Sequence, residues 1–364
     1  MEFDFSLLPG DYVGPEVTAE AVKVIDEVGN KFGHTFRWHW EAIGGAAIDE
    51  FGVPLRDETI QRASQHDAIL FGAAGGPKWD DPRGGRNRSH TALLKLRKSL
   101  DLYANLRFVK VFPALVNAST LKPEVIEGVD FIVVRELTSG LYFGQPKEIW
   151  QTPEGRKAVD TMGYSEAEIT RILRVGFELA RSRSRRLMSV EKSNVLETGR
   201  LWRQIAIELS SEYPDVELRH MYVDAAAMVI LREPKELDVL VTENMFGDIL
   251  SEEASMLAGS LGMLPSASLA APPHGRVFGL YEPVHGSDPP RAGRFVDNPL
   301  ATILSGALML RYSCQLQREA HAIEAAVNRV LDDGYRTWDI MQPGKRQVGT
   351  REMGDLVADA ITTF

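Results

Sequence analysis

A single cysteine, Cys314, occurs in 364 residues, so neither an internal disulfide nor a cysteine zinc cluster can form. Its apolar setting, ALMLRYSCQL, fits a reducing compartment. Long apolar runs are missing as well: no segment reaches the ~20 residues that a membrane helix needs. The opening MEFDFSLLPGD is acidic, with neither the basic start nor the apolar stretch of a signal peptide. We read the chain as cytoplasmic. Positive charge is in deficit, with 41 Lys and Arg against 51 Asp and Glu and a formal net charge of -10. That field repels nucleic-acid phosphates and anionic membranes, so neither is expected as a partner, and any anionic ligand requires a local basic site. The chain also lacks a GxGxxG fingerprint, a phosphate-loop lysine motif, internal repeats and low-complexity tracts.

What remains is an ordinary globular composition, 44% hydrophobic and 25% charged, long enough for about two domains. FSLLPGDYVGPEVTAEAVKVIDEVG starts as a strand and turns at Pro9 and Gly10. It continues with Val17, Ala21, Val24, Ile25 and Val28 at helical spacing. Phe36, Trp38 and Trp40 alternate as in a strand, DETIQRASQ reads as helix, and DAILFGAAGG reads as a buried strand ending in a glycine loop. The alternation continues through LRFVKVF, DFIVVREL, RLMSVEK, VELRHMYVD and LDVLVTE, which predicts an α/β fold with mainly parallel sheets. Between Glu136 and Asp160 it breaks into short extended pieces, LYFG, KEIW and KAVDTM, suited to a β arm that pairs with something else. The basic run RSRSRR closes a helix predicted from about Ser165, where cations suit the dipole.

Two sets of side chains carry possible chemistry. In NMFGDILSEEAS, Asp248 and Glu252 are four apart and share a helix face, so they could share a cation or simply meet solvent. They follow the apolar strand LDVLVTE, at the carboxyl edge where α/β folds gather ligands. Asp224 in MYVDAAAM repeats the pattern at the end of another strand, where it could equally cap a helix. The second set is arginine: Arg97 on a helix, Arg107 as the next strand begins, and Arg135 directly after FIVV. A nearly buried guanidinium requires an anionic partner, and three of them could receive two carboxylates in paired hydrogen bonds. Lys192, in MSVEKSNVLETG, reads locally as an ion-pair residue, and Tyr142 as a strand aromatic.

The stretches LPGDYVGPE, LLKLRKSLDLYANLR, VVRELTSGLYFG, VEKSNVLETGRLWR, MYVDAAAM, ENMFGDILSEEASM, LPSAS, YEPVHGS and NPLATILSGALMLRYS run in order along nearly the whole chain. Together they resemble the β-decarboxylating dehydrogenases, the isocitrate, tartrate and isopropylmalate enzymes, and most closely the isopropylmalate branch. The resemblance implies a two-domain α/β fold that is not a classical Rossmann domain. Residues 1–102 and 259–364 would form a cofactor-binding domain, and residues 103–258 a central substrate and dimerisation domain with an arm at about 137–160. It implies a homodimer with shared active sites. Lys192 and Asp224 would serve the partner's site, completed by Arg97, Arg107, Arg135, Tyr142, Asp248 and Glu252 of the other chain. The implied reaction is oxidative decarboxylation of a 3-alkylmalate, 3-isopropylmalate of leucine synthesis foremost, with NAD and Mg²⁺ or Mn²⁺. Asp224, Asp248 and Glu252 would hold the metal, Lys192 would act as base, and Tyr142 would protonate carbon. Asp224 would also meet the substrate. Leu93 and Leu94, one turn before Arg97, resemble an apolar pocket for an isopropyl group, whereas isocitrate enzymes carry polar residues there. Two helix leucines are also ordinary core residues.

The chain departs from the family at four places. The first turn, usually GDGIGPE, carries Tyr12 and Val13, which puts a bulky ring near the expected nicotinamide. The second helix acid of the metal motif is Glu252 instead of aspartate, one methylene longer. His90 replaces the glutamate that approaches the nicotinamide ribose. In HGSDPPRAG, Pro290 replaces the aspartate that holds the adenosine ribose, and Arg291 follows it, positioned to meet a 2′-phosphate. Asp288 pulls the other way, so NADP stays open beside NAD. His285, Gly286, Ser287 and Asn298 still match the adenine and phosphate side, and Val13 and Gly76 are expected beside the cofactor with them. Two other readings fit the departures: a paralogue acting on another malate-like acid, and a catalytically silent dimeric interaction partner.

Overall fold

The computed structural model describes residues 1–80, 88–89, 91–272 and 275–363; His90 lies outside the described residues. Ten strands form one sheet: β1 (Glu2–Gly10), β2 (Thr35–Trp40), β3 (Ala68–Ala73), β4 (Ala104–Lys110), β5 (Asp130–Glu136), β8 (Arg186–Glu191), β9 (Glu217–Tyr222), β10 (Val239–Thr242), β11 (Pro265–Leu269) and β12 (Gly279–Pro283). Outside it, β6 (Lys147–Thr152) and β7 (Gly155–Asp160) form a separate hairpin, and β13 (Tyr335–Arg336) pairs in parallel with β14 (Arg346–Gln347). The sheet order is β2-β1-β3-β12-β11-β4-β5-β10-β8-β9. Six of its nine pairings are parallel, which makes this a mixed α/β sheet. The three antiparallel pairings lie together at the centre, β12 with β11, β11 with β4 and β4 with β5. The two parallel wings therefore run in opposite directions, joined by a central antiparallel seam.

The register of that seam decides where polar side chains go. Asn105 pairs with Arg135, Ser266 with Arg107, and Ser266 with Glu282. Because side chains alternate between faces with a period of two, Arg135, Asn105, Arg107, Ser266 and Glu282 all emerge on the same face. The helix Thr91–Ser99 supports this face: Ala92 and Leu96 pack with Leu8, Ile69, Phe71 and Leu280 in a small apolar cluster. The opposite face is closed by the helices Gly14–Phe32, Leu300–Tyr312 and Thr350–Thr362. Val17, Ala21, Val24, Ile25 and Val28 are all buried there, as their spacing predicts.

Three local expectations need correction. LYFG is not extended: Gly140–Tyr142 is a 3-10 turn, made possible by Gly140 at φ +73°. A side chain at Gly140 would meet the Tyr164 hydroxyl, which closes the turn from below. Arg107 lies in the middle of β4, not at its start, because the preceding helix stops at Ser99 and Asp101 at φ +47° redirects the chain. Asp224 follows β9 inside the first turn of the helix Val223–Arg232, whose N-cap is Tyr222. The predicted helix after Ser165 runs from Glu166 to Ser182 with a full Ser165–Glu168 capping box. At its end Arg181 pairs with Asp215, and Arg183 with Asp238 and Asp130, so two of the four arginines of RSRSRR are held in ion pairs.

The parallel wing β1-β3-β12 brings three loops to one carboxyl edge. Asp11 fastens them: its carboxylate accepts from the backbone of Gly45 (2.8 Å), Ala46 (2.8 Å) and Gly75 (2.9 Å). Val13 N–H donates to Ser287 O at 3.1 Å, and Ser287 Oγ donates to Gly75 O at 2.7 Å. The chain crosses itself too closely here for side chains. A Cβ at Gly72 would lie 2.3 Å from Pro9 O, and one at Gly14 would lie 2.1 Å from the same oxygen. Gly72→Ala is expected to lower stability by about 1–3 kcal/mol and to move the thermal midpoint down; an unchanged midpoint in differential scanning calorimetry would contradict this crossing.

Candidate active site

Glycine also lets the key arginine reach its partner. Arg135 leaves the penultimate position of β5, and its aliphatic stem lies so close to the helix Asn244–Ser255 that a Cβ on Gly247 would sit 2.6 Å from Arg135 Cγ. Its Nη1 donates to Asp248 Oδ1 at 2.6 Å, while Nε and Nη2 both donate to Asn244 Oδ1, at 3.1 and 2.7 Å. Arg107 reaches the same Asp248 oxygen through Nη2 at 3.1 Å; its Nη1 donates to Ser251 Oγ (2.7 Å) and its Nε to Asn105 Oδ1 (2.9 Å). Tyr142, carried by the 3-10 turn, donates its hydroxyl to Asp248 Oδ2 at 2.8 Å. Arg97 is ion-paired with Glu282, and its Nε has no partner.

These groups line a cavity of about 310 Å³ at the seam of the sheet. All three arginines are buried. Burial works against charge on Asp248, but Arg135 and Arg107, then the Tyr142 hydroxyl, outweigh it and hold the carboxyl below its usual range. Burial first, then the neighbouring Arg107, lowers Arg135 to about 10. Burial likewise lowers Arg107. Burial pushes the Tyr142 phenol up to about 12, assisted by its hydrogen bond to the anionic Asp248. Three guanidinium groups thus face two carboxylates, Asp248 and Glu282, in a desolvated cleft. The imbalance favours a small anion, since buried like charges are costly until a counter-charge arrives.

Leu93 and Leu94 stand on the cavity wall and are only half-buried, whereas Ala92 and Leu96 of the same helix are fully enclosed. The helix thus divides its work: one stripe packs the core and another faces the opening. His285 and Gly286 also line this cavity and continue into a second one of about 470 Å³, bordered by Asp288, Arg291, Asp297, Asn298, Trp338 and Asp339. There Arg291 is ion-paired with Asp288 and lies 3.9 Å from the centre of the Trp338 ring. Asn298 Nδ2 donates to Asp339 Oδ2 at 3.0 Å. Burial keeps the His285 imidazole below its usual range and thus neutral at pH 7, and its Nε2 has no partner.

Other candidates stand apart. Lys192 Nζ contacts Asp224 Oδ1 at 2.6 Å, a bond that holds Asp224 below its usual range, but neither residue borders the arginine cavity of its own chain. Glu252 is exposed on the helix that carries Asp248, near enough to act on Arg107. Pro290 is exposed and does not border the second cavity. The Tyr12 ring, at φ +51°, packs on Trp79 (5.5 Å between centres) and covers Gly76, where a Cβ would lie 2.2 Å from Tyr12 Cε2. Among the described residues, no three His, Cys, Asp or Glu side chains of one chain gather closely enough to hold a metal ion.

Sequence reasoning missed several participants. Asn244 is fully buried, and its Nδ2 donates to Ser139 O at 3.0 Å, so one amide ties Arg135 to the turn that carries Tyr142. Its place at the start of NMFGDILSEEAS, facing the same direction as Asp248 one turn later, is the signal that could have found it. Glu282, Ser251, Asp297 and Trp338 carry no local signal; their roles depend on partners far away in the chain.

The isocitrate/isopropylmalate dehydrogenase family model matches residues 4–357. The chain is 54% identical to a 3-isopropylmalate dehydrogenase of Dehalococcoides mccartyi, covering 99% of this chain and 100% of that one. It is 56% identical to one of Carboxydothermus hydrogenoformans, covering 99% and 95%. Among solved structures, an isocitrate dehydrogenase from Methylococcus capsulatus superposes with a TM-score of 0.86 at 33% identity, covering 99% of each chain. The chain belongs to the isocitrate/isopropylmalate dehydrogenase family.

Proposed function

We propose that this protein oxidatively decarboxylates 3-isopropylmalate in leucine biosynthesis, using NAD and a divalent cation, Mg²⁺ or Mn²⁺. The observation that carries this reading is the cavity where Arg97, Arg107, Arg135, Tyr142 and Asp248 meet beneath Leu93 and Leu94. The names of the curated relatives support the same substrate. The three arginines orient the two carboxylates of the substrate, and the half-buried leucines receive its isopropyl group. With the chain divided, as we propose, into residues 1–102 with 259–364 and residues 103–258, this cavity would lie where the two parts meet, since Leu93, Arg97 and Glu282 line it from one and Arg107, Arg135 and Asp248 from the other.

The carboxylate oxygens of Asp248 and Glu252 suit a hard cation, and among the described residues of one chain no third ligand lies beside them. We assign that third ligand to Asp224 of a second copy, which would arrive together with its Lys192. Apolar side chains exposed on neighbouring helices support such pairing: Met228 (58% exposed) and Leu231 (39%) on one, Ile249 (58%) on the next. The hairpin β6-β7 also presents an exposed Ile149 and suits the arm of this interface. A cation held by these carboxylates would supply Lewis acidity, and a nicotinamide lodged beside the cavity would supply the hydride acceptor. Lys192 takes the hydroxyl proton. Loss of CO₂ then leaves carbon to be protonated, and Tyr142, held up to about 12, keeps its proton for that step across the neutral range.

Tyr142→Phe is expected to lower kcat by about 10²–10⁴-fold with little change in substrate affinity. Because its phenol sits near 12, the wild-type kcat profile should show no loss from this group below about pH 11. The shared site has its own test. Mixing inactive Tyr142→Phe and Lys192→Ala proteins after joint unfolding and refolding should recover activity in mixed dimers; no recovery, with dimers present by sedimentation, would place both groups in one chain's site. Replacing Leu93 and Leu94 by serine should reduce the preference for 3-isopropylmalate over malate by about 10–200-fold, read as the ratio of kcat/KM values.

A further inference from the structure

The second cavity contains a charge arrangement that the loss of the usual ribose carboxylate at Pro290 leaves unexplained. A dinucleotide whose nicotinamide end reaches the arginine cavity must lay its other half somewhere adjoining, and the two cavities share His285 and Gly286. In the second one Arg291 is the only cation among the described lining residues, facing Asp288, Asp297 and Asp339. It is not idle: Asp288 pairs with it, and the Trp338 ring covers its guanidinium at 3.9 Å. Asp288 is held at φ +39°, a left-handed conformation uncommon outside glycine, at the start of the turn Pro289–Arg291. Asp297 is 8% exposed and borders the same cavity; burial, then the neighbouring Asp288 carboxylate against which it lies, pushes its carboxyl up to about 6, and no N–H or hydroxyl donor of the protein reaches its Oδ2. A buried, unpartnered carboxylate oxygen costs free energy until a donor reaches it.

We propose that Asp288 and Asp297 are the acceptors for the adenosine ribose hydroxyls, in the role that Pro290 cannot fill, and that they exclude a cofactor bearing a 2′-phosphate. This rests on the reading of the protein as a nicotinamide-dependent dehydrogenase. Ribose hydroxyls donate, and carboxylates are acceptor-only groups that reward donors. A 2′-phosphate brings about two negative charges and no donor into a pocket with three carboxylates, and the one arginine able to meet it is already committed. Arg291 therefore acts as a brace that fixes Asp288 against Trp338, not as a phosphate ligand. Asp339 takes no direct part, because its oxygens already accept from Ser260, Thr337 and Asn298.

Calorimetric titration of the purified protein with NAD⁺ and NADP⁺, without substrate or turnover, tests this. The wild type should bind NAD⁺ at least about 30-fold more tightly than NADP⁺, given the several kcal/mol that like-charge juxtaposition costs. Asp297→Asn and Asp288→Asn should each weaken NAD⁺ binding about tenfold, and the double variant should narrow the ratio by at least tenfold. Arg291→Ala separates brace from ligand: the proposal expects it to weaken NAD⁺, whereas selective loss of NADP⁺ affinity would overturn it. Equal binding of both dinucleotides by the wild type, or an unchanged ratio in a double variant with wild-type near-ultraviolet circular dichroism, would also overturn it. 2′-Deoxy-NAD⁺, which lacks the donor, should bind the wild type more weakly than NAD⁺ and Asp297→Asn about equally, so the proposal stays testable with a conservative single variant. Failure of the underlying reading looks different: neither dinucleotide binds.

Discussion

The carboxylate of Asp248 is the point on which the candidate site depends. Two arginines from adjacent strands converge on one of its oxygens and a tyrosine from the following turn holds the other. Each guanidinium would repel the other in a desolvated cleft without it, because burial alone already moves both away from their normal protonation range. The fold reaches this arrangement through the antiparallel seam. A purely parallel sheet would carry continuous apolar strands buried on both faces. At the seam, instead, the β4, β5, β11 and β12 register lines up Arg135, Asn105, Arg107, Ser266 and Glu282 on the one face that borders the cavity. The helix Asn244–Ser255 then lays Asp248 over it, with Gly247 allowing contact close enough for direct hydrogen bonds.

The helices and buried strands were legible because their patterns are local. FIVV and VLV are apolar throughout, as strands covered on both faces should be, and both became interior strands of the sheet. The 3.6-residue spacing of Val17, Ala21, Val24 and Val28 reported a helix with one buried face. Arg135 was legible because an arginine after FIVV contradicts its apolar context, and such contradictions tend to mark function. The LYFG turn was misread because its cause is not local. Gly140 turns where Tyr164, more than twenty positions later, fills the space beneath it.

The rest of the site was hidden by distance along the chain. Glu282 meets Arg97 across 185 positions and Asn244 meets Arg135 across 109, and no periodicity encodes such pairs; they follow from strand order. The second cavity is harder still. Side chains such as Ser260, His285, Asp288, Asn298 and Trp338 converge there from separate parts of the chain, so Asp297 looks like a routine surface acid until its neighbours are known. Arg291 shows the same limit: its position after Pro290 gives no sign that Asp288, three residues earlier, and Trp338, a distant aromatic, both engage it.

The same Asp248 links the steps of the proposed reaction. Its Oδ1 accepts from both arginines and its Oδ2 from Tyr142, so the arginines cannot be fully occupied by Asp248 and by a substrate dianion at once. In the proposed site a dicarboxylate entering the cavity would compete for Arg107 and Arg135, and every hydrogen bond it gained there would release lone pairs on Asp248 for a cation. Conversely, a cation drawn to Asp248 would weaken its hold on the arginines and free them for the substrate. Substrate and metal binding would then be thermodynamically coupled through one carboxylate, and such coupling is reciprocal. Asn244 limits the reorganisation this requires: its grip on Arg135 Nε and Nη2 leaves Nη1 as the end that changes partner. The arginine can therefore trade an internal anion for an external one without moving its anchor, which is how a buried cation keeps its position while its counter-charge is exchanged.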